Sequence, residues 1–248
     1  MYYNALLKRE NGMNTNNPFS SLSQYAPSAA FNTSVETLVL QTLRSAITQG
    51  AFYPGQEIDE AAIAEGLQIS KMPVRQAIAA LEVEGLVTKV PRKKVYVTSL
   101  DSHDIEEIYT TRIALEEVAI RAAVKKATQR DYEMLEKNLA IPLSQMEGYV
   151  GFLEVDKEFH SLLYAPSGWQ RVMKYLQQLR NNTAMYRILR EPLPPEKLQL
   201  SLEEHREIYD AYRNADEDMA ARLLREHTLR TVPSLHDIDR ANEAVTQK

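Results

Sequence analysis

The sequence predicts a mainly α protein in two parts: three N-terminal helices closed by a small β-hairpin, then an all-α bundle. Three observations carry this. Apolar residues recur at helical spacings of three and four along most of the 248 residues. Alternation with period two is confined to the stretch between Leu86 and Thr98. Glycine is scarce, at 8 residues, which argues against a loop-rich all-β fold or a glycine-loop nucleotide site, while proline, at 11, punctuates helical runs.

Composition narrows the function classes. Apolar residues make up 44% and charged residues 25%, as in ordinary globular proteins. Cysteine is absent, which removes disulfides, thiolate metal sites and cysteine nucleophiles, and fits a reducing compartment. No apolar run approaches the roughly 20 residues that span a bilayer. The opening MYYNALLKRENG shows no signal-peptide pattern. A cytoplasmic location is the expectation.

Residues 1–33, rich in Asn, Ser, Ala and Pro and without sustained periodicity, read as a flexible tail. From there to residue 100 each element has its signal. Ser34 is a plausible N-cap for a helix with Val35, Leu38, Leu43 and Ile47 on one stripe and a stop at Gly50. Pro54-Gly55 marks a turn. A short helix (AAIAEGL), a tight link (QIS) and a second helix starting at Ser70 follow. In that second helix Val74, Ala77, Ile78 and Leu81 form a core stripe, so Arg75, Gln76 and Ala79 face outward. Pro73 is tolerated in the first turn, where its missing amide has no intrahelical acceptor. Leu86–Val90 and Val95–Thr98 read as two strands around a basic tip.

Charge placement sharpens the picture. The net charge is −5, but residues 34–100 carry seven charges of each sign. Glu57 to Glu65 holds four acids and no base, whereas Lys71 to Lys94 holds six bases against two acids. A basic patch in an acidic protein points to a focused polyanion contact. Helix, short link, helix and basic hairpin is the plan of a winged helix-turn-helix, whose second helix enters the major groove while a basic wing holds phosphates. Lys71 and Arg75 sit on the first turns of that helix; Arg92, Lys93 and Lys94 sit on the wing.

The stretch from Leu43 to Leu100, with its PG turn, S-x-x-PVR-x-A-x-x-x-LE-x-EGLV run and strand-proline-wing ending, resembles the DNA-binding domain of GntR-type bacterial transcription regulators. The resemblance implies binding of double-stranded operator DNA as a homodimer, with Arg44, Lys71 and Arg75 in contact positions and the wing near the minor groove. Three positions depart from the family pattern. Gln68 stands for the glycine of the turn, Lys71 for an arginine and Lys94 for the wing-tip glycine. A lysine meets DNA as a point donor, without arginine's planar fork.

Residues 101–232 read as an all-helical domain with polar residues on its apolar stripes. In the first helix Ile105, Ile108, Leu115, Ala119 and Ala122 leave a gap of seven that Arg112 fills, so Arg112 points inward. Asp156 and His160 share one helix face with Phe152, Phe159 and Leu163. His205 continues the stripe of Leu198, Leu202, Ile208, Tyr209 and Tyr212, and His227 continues Ala220, Leu223 and Leu224. Buried polar groups must satisfy one another. Three imidazoles and one carboxylate are a donor set for a divalent metal, zinc first, with nickel, manganese or iron also suited. Beside the guanidinium of Arg112, open coordination positions would suit a small carboxylate effector. Tyr109, Asn181, Asn182, Tyr186 and Arg187 are further candidates to line that pocket. His103 and His236 read as surface residues, and residues 233–248 as a C-terminal tail.

This half is similar to the FCD effector domain of the FadR-like branch of the same family. The resemblance implies Asp156, His160, His205 and His227 as metal ligands, Arg112 in R-x-x-LE as the effector contact, and a dimerisation role for the domain. The function read from the sequence is therefore a DNA-binding transcription regulator, not an enzyme, whose operator affinity a small organic acid controls. Two alternatives stay open: a metalloenzyme built on the same ligands, and a regulator that senses the metal itself.

Overall fold

The computed structural model describes residues 18–27, 34–90, 94–189 and 193–243. The chain divides into two compact units, residues 1–99 with 239–248, and residues 100–238.

In the first unit, α1 (Val35–Thr48) opens on Ser34, whose side chain accepts a hydrogen bond from the amide of Thr37 at 3.2 Å. Val39, Leu43, Ala46 and Ile47 form its buried stripe; Val35, expected on that stripe, is 53% exposed. The turn at Gly55 leads into β1 (Glu57–Ile58), then α2 (Glu60–Gly66) with Asp59 as its N-cap. The link to α3 (Lys71–Val83) turns through Gln68 at φ +55°, in the left-handed region that glycine occupies more cheaply. Val74, Ala77, Ile78 and Leu81 are buried and Arg75, Gln76 and Ala79 exposed, as the periodicity predicts.

The wing strands are β2 (Val87–Lys89) and β3 (Val95–Val97), slightly shorter than expected. β3 is central in an antiparallel sheet of order β1-β3-β2, pairing Val87 with Val97 and Glu57 with Tyr96. The third strand was not foreseen, because two residues are too few to show alternation.

Two expectations about the ends need correction. Residues 18–25 do not run as loose tail: they form a 3-10 segment whose Leu22 is fully buried and whose Phe19 ring lies 5.6 Å from that of Phe52. At the other end, α10 (Leu235–Glu243) forms where a tail was expected, with Ile238 and Ala241 buried. In both cases a few apolar side chains find a place in a core, which composition averages conceal.

The second unit is built from α4 (Ser102–Val124), α5 (Gln129–Leu139), α6 (Gly148–Tyr164), α7 (Gln170–Leu189), α8 (Pro195–Arg213) and α9 (Glu217–Arg230). Asp101 and Asp104 form a capping box at the start of α4, satisfying the first orphan amides. Helix α4 packs against α7 and α9, and α8 against α9. Ala119, Ile120, Phe159, Leu163, Leu176, Ile208, Tyr212 and Leu224 belong to its main core. A smaller cluster joins Met146, Phe152, Leu198 and Leu202. Among the described residues no helix is long and apolar enough to cross a membrane.

Candidate functional site

Three helices of the second unit bring four buried donors together. Asp156 and His160 come from α6 one turn apart, His205 from α8 and His227 from α9; one ligand atom of each lies within 4.8 Å of the others. His205 Nε2 is 3.3 Å from His227 Nε2 and 3.5 Å from Asp156 Oδ1, and His160 Nε2 is 3.7 Å from the same oxygen. Ligands about 2.0–2.2 Å from one ion stand roughly 3–3.5 Å apart, so these spacings match a coordination shell closely. Asp156 Oδ1 is buried and has no hydrogen-bond partner among the described residues. Such an orphaned oxygen is costly unless something positive meets it. The donor set and its unsatisfied atom therefore fit a divalent metal.

The opposite sides of the rings are held. His227 Nδ1 donates to Glu204 Oε2 at 2.7 Å, and His160 Nδ1 lies 3.0 Å from the hydroxyl of Tyr164. With Glu204 ionised, the Nδ1 proton is fixed and the Nε2 lone pair of His227 faces the cluster. Burial holds Glu204 up, but His227 and Arg230 outweigh it and its carboxyl falls below the ordinary range. His205 stacks on Phe159, ring centroids 4.1 Å apart. Burial lowers the pKa of His205 to about 4 and that of His160 well below 6.5, so both are neutral near pH 7.

A second layer of charge surrounds these donors. Arg187 donates to Asp156 Oδ2 at 2.9 Å and Arg180 to the same oxygen at 3.4 Å. Burial opposes ionisation of Asp156, yet Arg187 and the neighbouring imidazoles of His160 and His205 hold its carboxyl well below the usual range. Arg112 is 2% exposed and points inward as its spacing predicts, but its Nε donates to Glu116 Oε1 at 2.8 Å. Arg180 and Thr228 also bind Glu116, at 3.5 and 2.8 Å. Three guanidiniums thus face two carboxylates, and the Nε of Arg187 has no partner among the described residues. The cluster carries an excess of positive charge and one unused buried donor.

Of the other residues expected here, Arg187 joins the site. Tyr109 lies under Arg112, its ring centroid 5.3 Å from Cζ, and donates to the carbonyl of Thr231. Tyr186 instead holds the backbone of Leu100, and Asn181 accepts from Gln177. His103 is exposed; the side chain of His236 lies outside the described residues. Sequence reading missed Arg180, Glu116, Glu204, Tyr164 and Thr228. A signal existed for two of them. Arg180, with Thr183 and Arg187, continues the spacing of Leu176 along α7, and Glu116 stands one turn beyond Arg112. Glu204, next to His205 in sequence, offers none.

In the first unit, Lys71 and Arg75 lie exposed on the opening turns of α3. Arg75 Nε contacts Glu60 at 2.8 Å, and Lys94 contacts Glu57 at 2.5 Å. Arg44 is occupied: its fork meets both oxygens of Glu84, at 2.7 and 2.5 Å. Arg92 and Lys93 lie outside the described residues.

The helix, link, helix and wing of this unit match the sequence model for bacterial regulatory proteins of the gntR family over residues 36–97, and the FCD domain matches residues 107–230. The chain belongs to the GntR family. Among curated relatives it is similar to the HTH-type transcriptional regulator YdhC of Bacillus subtilis, 28% identical over 75% of this chain and 84% of that protein. The HTH-type transcriptional repressor RspR of Escherichia coli is 26% identical over 84% of this chain and 92% of its own. The solved structure of E. coli McbR/YncC superposes with a TM-score of 0.74 at 23% identity, covering 83% of this chain and 98% of that one. As a GntR-family member with an FCD domain, the chain is a transcription regulator that binds operator DNA. Its family and relatives are regulators rather than enzymes, which sets the metalloenzyme alternative aside.

Proposed function

We propose that this GntR regulator is a cytoplasmic homodimer whose grip on a palindromic operator is controlled by a small organic acid bound at a metal in the FCD domain. The observation that carries the reading is the orphaned Oδ1 of Asp156, set among the imidazoles of His160, His205 and His227. These four residues would hold the ion; zinc suits them first, and nickel, manganese or iron share the donor set. When bound, the metal supplies a Lewis-acidic centre for an oxygen of the effector carboxylate.

The protein's own residues do the rest. Arg112, Arg180 and Arg187 supply an excess of positive charge that favours an anion, and the free Nε of Arg187 is a donor ready for a carboxylate oxygen. Glu116 keeps Arg112 and Arg180 in place from the far side. Burial excludes water, so each charged contact counts for more than it would at the surface. On the DNA side, Lys71 and Arg75 read the major groove, and Lys94, with Arg92 and Lys93, holds phosphate at the wing. Arg44, expected at a contact position, braces α1 against Glu84 and acts on DNA only if that pair opens. The acid shifts operator affinity by binding one arrangement of the two heads better than the other.

The test reads the purified protein by elemental analysis and native mass spectrometry, then titrates an operator complex with candidate acids and with metal separately. Release by an acid from the metal-loaded protein, lost in His205→Ala, is the expected result. Release by metal alone, in the absence of any acid, would make the metal the signal and overturn the effector reading.

A further inference from the structure

The first unit pairs its DNA-facing bases with its own acids. Five bases of residues 34–100 are described, and four of them sit on a glutamate: Arg44 on Glu84, Arg75 on Glu60, Lys89 on Glu82 and Lys94 on Glu57, all at 2.8 Å or closer. Lys71 alone among these five has no such partner. The pairs differ in kind. Arg44 and Glu84 are about three-quarters buried and doubly bonded, a brace between α1 and the end of α3. Arg75 and Lys94 are 61% and 57% exposed, one on the groove-entering helix and one on the wing, each tethered by a single contact. Their partners, Glu60 and Glu57, come from the acidic stretch Glu57–Glu65, which runs from β1 into the first helix of the helix-turn-helix.

A phosphate and a carboxylate compete for the same cation. When an unpaired base meets DNA, it releases a condensed counterion, which gives affinity and salt dependence for any sequence. When a base must leave a glutamate, the freed carboxylate draws a cation back from solution, and most of that gain is cancelled. We propose that Glu57 and Glu60 are intramolecular competitors for DNA phosphate that hold down sequence-independent binding. Specificity is the ratio of operator binding to non-specific binding, so suppressing the second raises it. Lys71, left without an acid, remains free to act at once. The acidic stretch from β1 through α2 thus belongs to the DNA-binding function.

The experiment uses the full chain and two labelled duplexes, one of random sequence and one selected by the wild-type protein from a randomised pool, with anisotropy titrations across a series of salt concentrations. Glu57→Gln and Glu60→Gln are each expected to tighten random-sequence binding several-fold. Each is expected to steepen the slope of log affinity against log salt by about 0.9, the share of one phosphate contact. The ratio of selected to random affinity falls. Glu65→Gln is the control, since Glu65 is an exposed acid of α2 without an ion pair among the described residues. An equal shift in Glu65→Gln would reduce the effect to net charge and overturn the proposal. So would unchanged or weaker binding in folded Glu57→Gln and Glu60→Gln. Glu57, in a strand, and Glu60, at a helix start, fail independently, and a melting curve shows which variant is native. The inference rests on Arg75 and Lys94 meeting DNA, and Arg75→Ala separates the two failures. If that variant binds as well as wild type, the contact assignment is wrong; if it binds worse while Glu60→Gln binds no better, the competition is wrong.

Discussion

Glu204 Oε2 lies 2.7 Å from Nδ1 of His227, and the other oxygen of the same carboxylate takes Nε of Arg230 at 2.7 Å. A carboxylate behind an imidazole fixes the tautomer and raises the basicity of the far nitrogen, so Glu204 belongs to the candidate metal site although it touches no metal position. Glu204→Gln keeps the shape and removes the charge. Metal affinity, measured by competition with a chromogenic chelator, is expected to fall about 10–100-fold with the helical fold retained. An affinity equal to wild type would show that Glu204 does not orient His227.

Asp156 joins the imidazole cluster to the arginine layer, accepting from Arg187 and Arg180 on Oδ2 while Oδ1 faces His160 and His205. Asp156→Ala strands the largely buried guanidinium of Arg187 and leaves Arg180 with Glu116 alone. Removing one partner of a buried charge pair costs about 3–5 kcal/mol, and urea unfolding of the chelator-treated protein should register a loss of that order. The double variant Asp156→Ala/Arg187→Met removes the stranded charge as well and is expected to recover part of the loss. No recovery would mean that the arginine layer is not held by Asp156.

The same burial gives the metal-free protein a defined response to acid. His205, at about 4, and His160, also lowered, are neutral when folded but titrate near 6.5 when unfolded. Between those values the unfolded chain binds more protons, so stability rises with pH across the window and is lost as pH falls through it. Asp156 and Glu116, held low by their arginines, add a further loss below the ordinary carboxylate range. The full share of His205 is on the order of 3 kcal/mol. Melting temperatures of the chelator-treated protein should therefore fall steadily from about pH 7 to about pH 4.5, and His205→Asn should flatten the upper part of that decline. A profile that stays level down to about pH 5 would contradict neutral buried imidazoles.

The four candidate ligands and Arg112 were legible because a polar residue on an apolar stripe needs only helical spacing to be noticed. The stripes themselves were less exact: in α4 the buried face runs through Tyr109, Ile113 and Ile120 as well as Ile105 and Ala119, one residue round from the expected track. Arg112 survives that rotation because it lies at the overlap of both faces. What Arg112 binds was not legible. Its partner Glu116 stands one turn beyond it on the same helix, but only the approach of Arg180 and Thr228 from other helices makes it a buried acceptor. Glu204 escaped for the same reason, since side chains meeting across helices leave no period within either one. The pairing of Lys94 with Glu57 depends on β1 joining β3, a contact between segments 37 residues apart.

Leu22 offers a test of the least expected packing in the first unit. It is fully buried within a segment whose composition predicts a loose tail, and Phe19 beside it lies against Phe52. A side chain that merely rests on a surface is truncated at little cost, whereas truncating a buried leucine removes transfer energy and leaves a cavity, together about 2–5 kcal/mol. Leu22→Ala should therefore lower hydrogen-exchange protection of α1 and α2, the helices that the segment packs against, by an amount in that range. Val35→Ala, at a position 53% exposed on α1, is the matched control and is expected to change protection by no more than about 0.5 kcal/mol. Protection of the second unit should not move in either variant. If Leu22→Ala behaves like Val35→Ala, residues 18–25 ride on the domain without stabilising it, and the core of the winged helix closes without them.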